Sequence, residues 1–388
     1  MYYVDATPLP LLPEGSVFGE RGSAALPAVC AALGAERPLV VTDRGLADSP
    51  LAAGIVSALR EAGAGVSVFA DVDGNPRREQ VDRGVAAFAR GGHDTVIALG
   101  GGSGLDAGKA VAFAATQRRD WTDFALDRHG VDGPPGCETP VPWIAVPTTA
   151  GTGSEVSPSA VVSDADGCKR SIMHPAMRAH RVVCDPELTV GLPPELTAWT
   201  GVDALTHCLE AFCAPGDDPE ADAWALAGMA LVHRSLERAW RRGDDRAARS
   251  DMMAAAVLGG RAFRKGLGGL HGLSHALAAR FGGQHGCING VLLPHVLAAN
   301  RPVVDAGLER IAAALRLDDR SADAVQARIA ALCRNLEIPS TLAAIGIEWE
   351  TDEAADLARA AATEPNAATN PCRADSAWAA GVLDSARR

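Results

Sequence analysis

The sequence predicts an N-terminal α/β domain built on a parallel sheet, residues 1–188, followed by an all-α domain, residues 189–388. Three observations carry that reading. Short apolar runs alternate with helical stretches through the first half, the pattern of a doubly wound parallel sheet. Strand-like runs almost vanish in the second half. Between the halves, "DPELTVGLPPEL" (185–196) gathers Pro186, Pro193 and Pro194, and clustered prolines punctuate a chain.

The candidate strands are Leu39–Thr42, Val66–Phe69, Thr95–Leu99, Trp143–Val146 and Val182–Cys184. Helical patterns at Leu51–Glu61 and Arg77–Arg90 lie between them. Ligands bind such sheets beyond the carboxyl ends of the strands. "VVTDRG", "ALGGGSG" and "AVPTTAGTGSE" each sit just past a candidate strand, so the three turns are expected to build one site. Beyond the boundary, 219–240, 249–262, 304–316, 322–335 and 351–362 read as helices, and 364–374 as a loop.

Composition narrows the function. Apolar residues make up 47% of 388 residues and charged residues 22%, enough to bury two cores. The net charge is −12, and the basic cluster Arg241, Arg242, Arg246 and Arg249 is interleaved with Asp244, Asp245 and Asp251. It reads as a solvated face, which argues against a nucleic-acid partner. Aromatic residues are only 4%, too few for base-stacking platforms. Nine cysteines without a C-x-x-C pair suit a reducing compartment. The N-terminus lacks a basic n-region and no apolar run reaches transmembrane length, so a cytoplasmic protein without a membrane partner is expected.

"GGGSGLDAGKA" (100–110) looks like a phosphate-binding turn but fits neither usual template. Walker A needs G-x4-G-K-[ST]; here Ser103 stands five before Gly108, and Ala110 follows Lys109. That mismatch argues against a nucleotide-dependent phosphotransferase. A G-x-G-x-x-G fingerprint would need glycine where Leu105 stands.

The histidines suggest a metal. "GVDALTHCLEAF" sets Asp203 and His207 four apart, and "LHGLSHALAARFGGQHG" sets His271 and His275 four apart, with His285 ten later. Residues i and i+4 share a helix face, and imidazole with carboxylate suits a divalent transition metal. Spacing alone leaves open which histidine stands outside the ligand set.

These segments together resemble the iron-containing, metal-dependent alcohol dehydrogenase family. The resemblance covers nearly the whole chain: "RPLVVTDRG" (37–45), "ALGGGSGLDAGKA" (98–110), "VPTTAGTGSEVSPSAVV" (146–162), "CDPELTVGLPPELTAWTGVDALTHCLEAF" (184–212), "GLGGLHGLSHALAARFGGQHGCINGVLLPHV" (266–296) and "TNP" (369–371). It implies a dinucleotide-binding α/β domain of the dehydroquinate synthase-like type, an all-helical metal-binding domain, and an active site in the cleft between them. It implies Fe²⁺, or Zn²⁺ in some members, held by Asp203, His207, His271 and His285, with His275 near the nicotinamide as a proton relay.

The same resemblance implies that Gly100, Gly101, Gly102 and Ser103 approach the NAD(H) pyrophosphate at a helix N-terminus. Thr148 and Thr149 match cofactor contacts, and Lys169 matches a lysine near the nicotinamide ribose. Asp43 would accept the adenosine ribose hydroxyls and repel a 2′-phosphate, favouring NAD(H) over NADP(H). Asp106 is expected to cap the helix and Lys109 to face solvent. The implied reaction is reversible hydride transfer between a small alcohol or aldehyde and NAD, with the metal as Lewis acid, in a homodimer.

Two departures bear on the substrate. Gln284 stands where the family commonly has proline, which should alter a loop without removing a ligand. The run before His271, "AFRKGLGG", carries Arg264 and Lys265 and is similar to the 4-hydroxybutyrate dehydrogenase branch, as are "TDRG" and "DPELTVGLP". Those two cations are expected to bind an anionic substrate tail, such as a carboxylate or phosphonate. A maleylacetate reductase-like relative is the alternative on the same fold, and the complete Asp/His set argues against it.

Overall fold

A computed structural model of the chain describes residues 11–130, 132–164, 168–350 and 352–387. Two compact units divide it, Met1–Val190 and Gly191–Arg388.

Among its described residues the first unit is organised on eight strands: β1 (Val17–Phe18), β2 (Pro38–Val41), β3 (Ser67–Phe69), β4 (Thr95–Gly100), β5 (Trp143–Pro147), β6 (Ser159–Ser163), β7 (Lys169–Met173) and β8 (Arg181–Cys184). Six form an all-parallel sheet in the order β1-β8-β5-β4-β2-β3. β4 and β5 are buried along their whole length, so both read as continuous apolar runs. From β2 the chain passes to β3 on one side; β4 then pairs on the other side of β2 and is followed outward by β5. The switch point of the sheet therefore lies between the carboxyl ends of β2 and β4, where such folds open a ligand crevice.

Six helices accompany the sheet: α1 (Leu26–Ala32), α2 (Arg44–Ala47), α3 (Pro50–Glu61), α4 (Arg78–Gly91), α5 (Gly102–Ala114) and α6 (Leu126–His129). The start of α3 is set by Ser49, whose Oγ accepts the Ala52 N–H at 3.1 Å, with Pro50 in the first turn. Its apolar stripe, Ala52, Ile55, Val56 and Leu59, packs into a core with Val40, Ile97 and Ile144. Fully burying Leu59 contributes about 2 kcal/mol.

α5 lies close on β4. A Cβ at Gly104 would stand 2.7 Å from the Leu99 carbonyl oxygen, and one at Gly108 would stand 2.9 Å from the Ala98 Cα. This close approach buries Lys109, which is 0% exposed and does not face solvent as expected. Its Nζ donates to the Ser154 carbonyl at 2.8 Å, to Ser154 Oγ at 2.9 Å and to the Ser159 carbonyl at 2.5 Å. Burial pulls Lys109 down to about 8 and pushes the neighbouring Glu155 up to about 7. Asp106 does not cap its own helix either. It accepts Ser154 Oγ at 2.5 Å and Val161 N–H at 3.0 Å. Helix α5 thus clamps the stretch from Ser154 to Val161.

The antiparallel hairpin β6–β7 is absent from the sequence expectation. β6 (SAVVS) is a short alternating strand and β7 (KRSIM) opens on three polar residues, so the continuous apolar signal that marks β4 or β5 is missing.

The second unit is helical: α7 (Pro194–Cys213), α8 (Pro219–Arg241), α9 (Arg246–Ala262), α10 (Gly269–Phe281), α11 (His285–Ala314), α12 (Ala322–Asn335), α13 (Ala354–Thr363) and α14 (Ser376–Arg387). α7 packs on α8, α9 and α11. Within the expected loop 364–374, Pro365–Thr369 forms a 3₁₀ turn. The helix expected at 304–316 instead begins at His285 and runs through Pro294 and Pro302. Buried Leu292, Leu293, Val296 and Leu297 hold that stretch helical against the intrinsic penalty of proline. Arg249, read as part of a solvated face, is 2% exposed and donates to the Gly243 carbonyl and Thr197 Oγ1. Among the described residues no helix is long and apolar enough to cross a membrane.

Replacing Lys109 with methionine removes three buried donor contacts and leaves two carbonyl acceptors and Asp106 without their cation. The substitution is expected to destabilise the protein by about 3 kcal/mol, read as a lower urea midpoint.

Candidate functional site

Asp203, His207 and Glu210 lie on one face of α7, at i, i+4 and i+7. α10 presents His271 and His275 one turn apart, and α11 opens with His285. Asp203, His207 and His271 are all buried, and one donor atom from each lies within 4.8 Å of the others. Nε2 of His207, His271 and His285 stands 3.8, 3.9 and 3.7 Å from the same oxygen, Asp203 Oδ1. These separations exceed a hydrogen bond. They are near the spacing of two ligands on one ion, about 3.4 Å for tetrahedral donors at about 2.1 Å.

His271 gives the clearest sign of what the cluster accommodates. Its Nε2 is buried with no hydrogen-bond partner. Burial pulls the imidazole down to about 4, so the ring is neutral near neutral pH and Nε2 can offer a lone pair. An orphaned imidazole nitrogen aimed among a carboxylate and further imidazoles fits a divalent transition metal. His285 stands at the edge of the cluster. Its Nδ1 meets Ser274 Oγ at 2.8 Å, and Asn289 Nδ2 lies 3.1 Å from its Nε2 and 2.8 Å from Asp203 Oδ1. Gln284 caps α11 by accepting the Cys287 N–H at 3.0 Å, so a side-chain cap stands where the family commonly has proline.

His275 is oriented differently. Its Nδ1 pairs with Glu364 Oε1 at 2.8 Å, and its ring lies 5.9 Å from that of His271 and 5.3 Å from that of His285. Burial is the largest influence on Glu364 and raises it, but the hydrogen bond and charge of His275, the Asn366 N–H and His271 together hold the carboxyl below its ordinary value. Glu210 pairs with His271 Nδ1, and burial pushes it up to about 7. Glu210, Asn289 and Glu364 are missing from the sequence reading. The first two carried a signal: Glu210 extends the Asp203–His207 face, and Asn289 is one turn from His285. Glu364 had none, because only the tertiary fold brings it to His275.

The first unit gathers the other expected residues. Asp43 caps α2, its Oδ1 accepting the Leu46 N–H at 3.0 Å beyond β2. Gly100, at φ +150°, turns the chain from β4 into α5; a Cβ there would stand 3.3 Å from Asp43 Oδ2. A Cβ on Gly101 would stand 3.0 Å from Thr149 Cγ2, and one on Gly102 would stand 2.8 Å from Thr152 Cγ2. The Thr148 N–H donates to the Gly100 carbonyl at 2.9 Å. Asp43, the Gly100–Ser103 turn and the Thr148–Thr149 turn therefore converge at the switch point. Ser103 Oγ donates to the Gly74 carbonyl at 2.5 Å, which commits the hydroxyl to the backbone. Lys169 opens β7, half-buried, and burial lowers its ammonium.

Arg264 and Lys265, expected at a substrate tail, both pair with carboxylates. Arg264 forks onto Asp218 at 2.8 Å and Glu220 at 2.7 Å, over the Trp224 ring. Lys265, its side chain 7% exposed, pairs with Asp222 at 2.7 Å and the Phe212 carbonyl at 3.2 Å. These pairs knit α8 to the turn before α10.

The comparisons follow this geometry. The model of the family described as iron-containing alcohol dehydrogenase matches residues 13–186, and its C-terminal domain model matches 197–386. The chain belongs to the iron-containing alcohol dehydrogenase family. Within that family it is 39% identical over 327 residues to a 4-hydroxybutyrate dehydrogenase of Cupriavidus necator, covering 82% of this chain and 84% of the relative. A crystal structure of a 1,3-propanediol oxidoreductase superposes with a TM-score of 0.91 at 32% identity, covering 97% and 98% of the two chains. A sulfoacetaldehyde reductase of Bifidobacterium kashiwanohense in complex with NAD⁺ superposes with a TM-score of 0.85 at 27% identity, covering 100% and 99%.

The Lys265→Ala variant is expected to lose about 1–3 kcal/mol of stability by leaving Asp222 without one cation. It should change KM for 4-hydroxybutyrate and for 1-butanol by the same factor, measured by NADH absorbance on both alcohols.

Proposed function

We propose that this chain is an NAD(H)-linked, iron-dependent dehydrogenase that interconverts a short-chain alcohol and its aldehyde. The observation that carries the reading is the buried convergence of Asp203, His207 and His271 with an orphaned imidazole nitrogen among them. His285, 3.7 Å from Asp203, is the fourth donor in this reading. When bound, the metal would supply Lewis acidity toward the substrate oxygen, and NAD⁺ a hydride acceptor.

The chain's own residues do the positioning. The N–H groups that open α5, at Gly102 and Ser103, follow β4 at the switch point and would suit a pyrophosphate. Asp43 offers Oδ2 beside Gly100 to the ribose hydroxyls, which supports NAD(H) over NADP(H). Thr148, Thr149 and Lys169 complete the cofactor contacts in this reading. His275, fixed at Nδ1 by Glu364, is placed to take or return a proton at Nε2. Similarity to the Cupriavidus enzyme supports a 4-hydroxybutyrate-like substrate. That choice now rests on the relative, since Arg264 and Lys265 are engaged elsewhere.

Chelator-treated protein should lose NAD⁺-linked oxidation of 4-hydroxybutyrate and 1,3-propanediol and recover it on adding Fe²⁺; activity that survives complete metal removal overturns the reading. Ser103→Trp should raise KM for NAD⁺ about tenfold or more by blocking the anion turn, with metal content unchanged by elemental analysis. The His275→Ala variant should retain its metal and lose about 100-fold in kcat.

A further inference from the structure

Helix α10 begins in the interior, where its first N–H groups cannot reach water. No residue near it in sequence caps it: its N-cap is Gly268. The partners come from far away. Gly269 N–H donates to Asn370 Oδ1 at 3.0 Å, and Leu270 N–H donates to Glu210 Oε1 at 2.8 Å, with His271 N–H 3.4 Å from the same oxygen. The second carboxylate oxygen, Oε2, meets His271 Nδ1. Gly268 makes room for this approach, since a Cβ there would stand 2.6 Å from Glu210 Oε1.

We propose that Glu210 is a positioning residue that fixes His271 as its Nδ1–H tautomer, so that the Nε2 lone pair faces Asp203 and His207. The backbone N–H groups of Leu270 and His271 favour the ionised carboxylate against its burial, and an ionised carboxylate has no proton to give, so Oε2 accepts and the imidazole proton belongs on Nδ1. Nε2 is then left as an acceptor inside the donor cluster. One side chain on α7 thereby docks the helix that bears His271 and sets the chemical form of that ligand, the outer-shell role that orients metal-binding histidines. The inference rests on the metal reading above.

The substitution Glu210→Gln separates docking from tautomer choice. If the amide oxygen keeps Leu270 and His271 N–H, the amide NH₂ faces Nδ1. The imidazole must then accept there and carry its proton on Nε2, pointing into the cluster. Competition between the protein and a chromophoric chelator for Zn²⁺ should show E210Q binding about 10–100-fold more weakly than wild type. Asn370→Ala, which removes an α10 cap without touching His271, should stay near wild-type affinity. Equal affinity in wild type and E210Q, or an equal loss in both variants, overturns the inference. A wild type that takes up no Zn²⁺ overturns the metal reading and this inference with it. A second measurement needs no variant at position 210: ¹⁵N spectra of histidine-labelled, metal-free wild type, with His271 assigned by its loss in His271→Asn. An unprotonated Nε2 is expected, and a protonated Nε2 at neutral pH overturns the proposal.

Discussion

A polar group carried into a protein interior costs several kcal/mol unless a partner meets it there, and the helical unit is built around meeting that cost. α7 alone buries Asp203, His207 and Glu210 on one face. α10 answers with its own unsatisfied N-terminal amides and His271, and α11 answers with Asn289. The three helices supply many of each other's missing hydrogen-bonding groups, with two buried atoms at the cluster, His271 Nε2 and Asn289 Oδ1, left over. That remainder is the point where apolar packing ends and ligand chemistry begins.

The α/β unit meets the same constraint with the opposite outcome. Lys109 is taken fully out of water, yet its Nζ finds three oxygens, and Asp106 finds a hydroxyl and an amide. Lys109 Nζ and both Asp106 oxygens are thus met by protein partners. The cluster instead holds the end of the threonine-rich turn in place, while backbone groups at the start of α5 remain for binding. The sequence motif "GLDAGK" therefore divides its labour: the glycines allow close approach to β4, and the aspartate and lysine clamp the stretch from Ser154 to Val161.

Elements with a strong local signal were legible in the sequence. β4 and β5 are continuous apolar runs, and α3, α4, α8 and α12 carry clean periodicity and caps, so their positions agree to within a residue or two. The β6–β7 hairpin was not legible because β6 is only five residues long and β7 opens on three polar residues. α11 hid behind Pro294 and Pro302, whose local penalty is outweighed by burial that only the tertiary structure creates. At the site, the Asp203–His207 and His271–His275 spacings announced themselves as helix-face pairs. The roles of Arg264 and Lys265 did not, because Asp218, Glu220 and Asp222 reach them from a different helix. The same blindness to distant partners hid Glu364, which lies 89 residues from His275 in the chain.

The chain contains only three lysines among its 36 basic residues: Lys109, Lys169 and Lys265. Lys109 is sealed against Ser154, Lys169 is half-buried at the start of β7, and Lys265 is locked onto Asp222. Among the described residues the exposed cationic surface is therefore almost all guanidinium. A compact ammonium is kept where its three donors diverge onto oxygens that a planar fork would not match, as at Lys109. The folded exterior consequently presents almost no nucleophilic side-chain amine to acylating or carbonyl reagents. That is a useful property for a protein whose proposed substrates include aldehydes, since an aldehyde condenses with exposed lysines but finds few of them here.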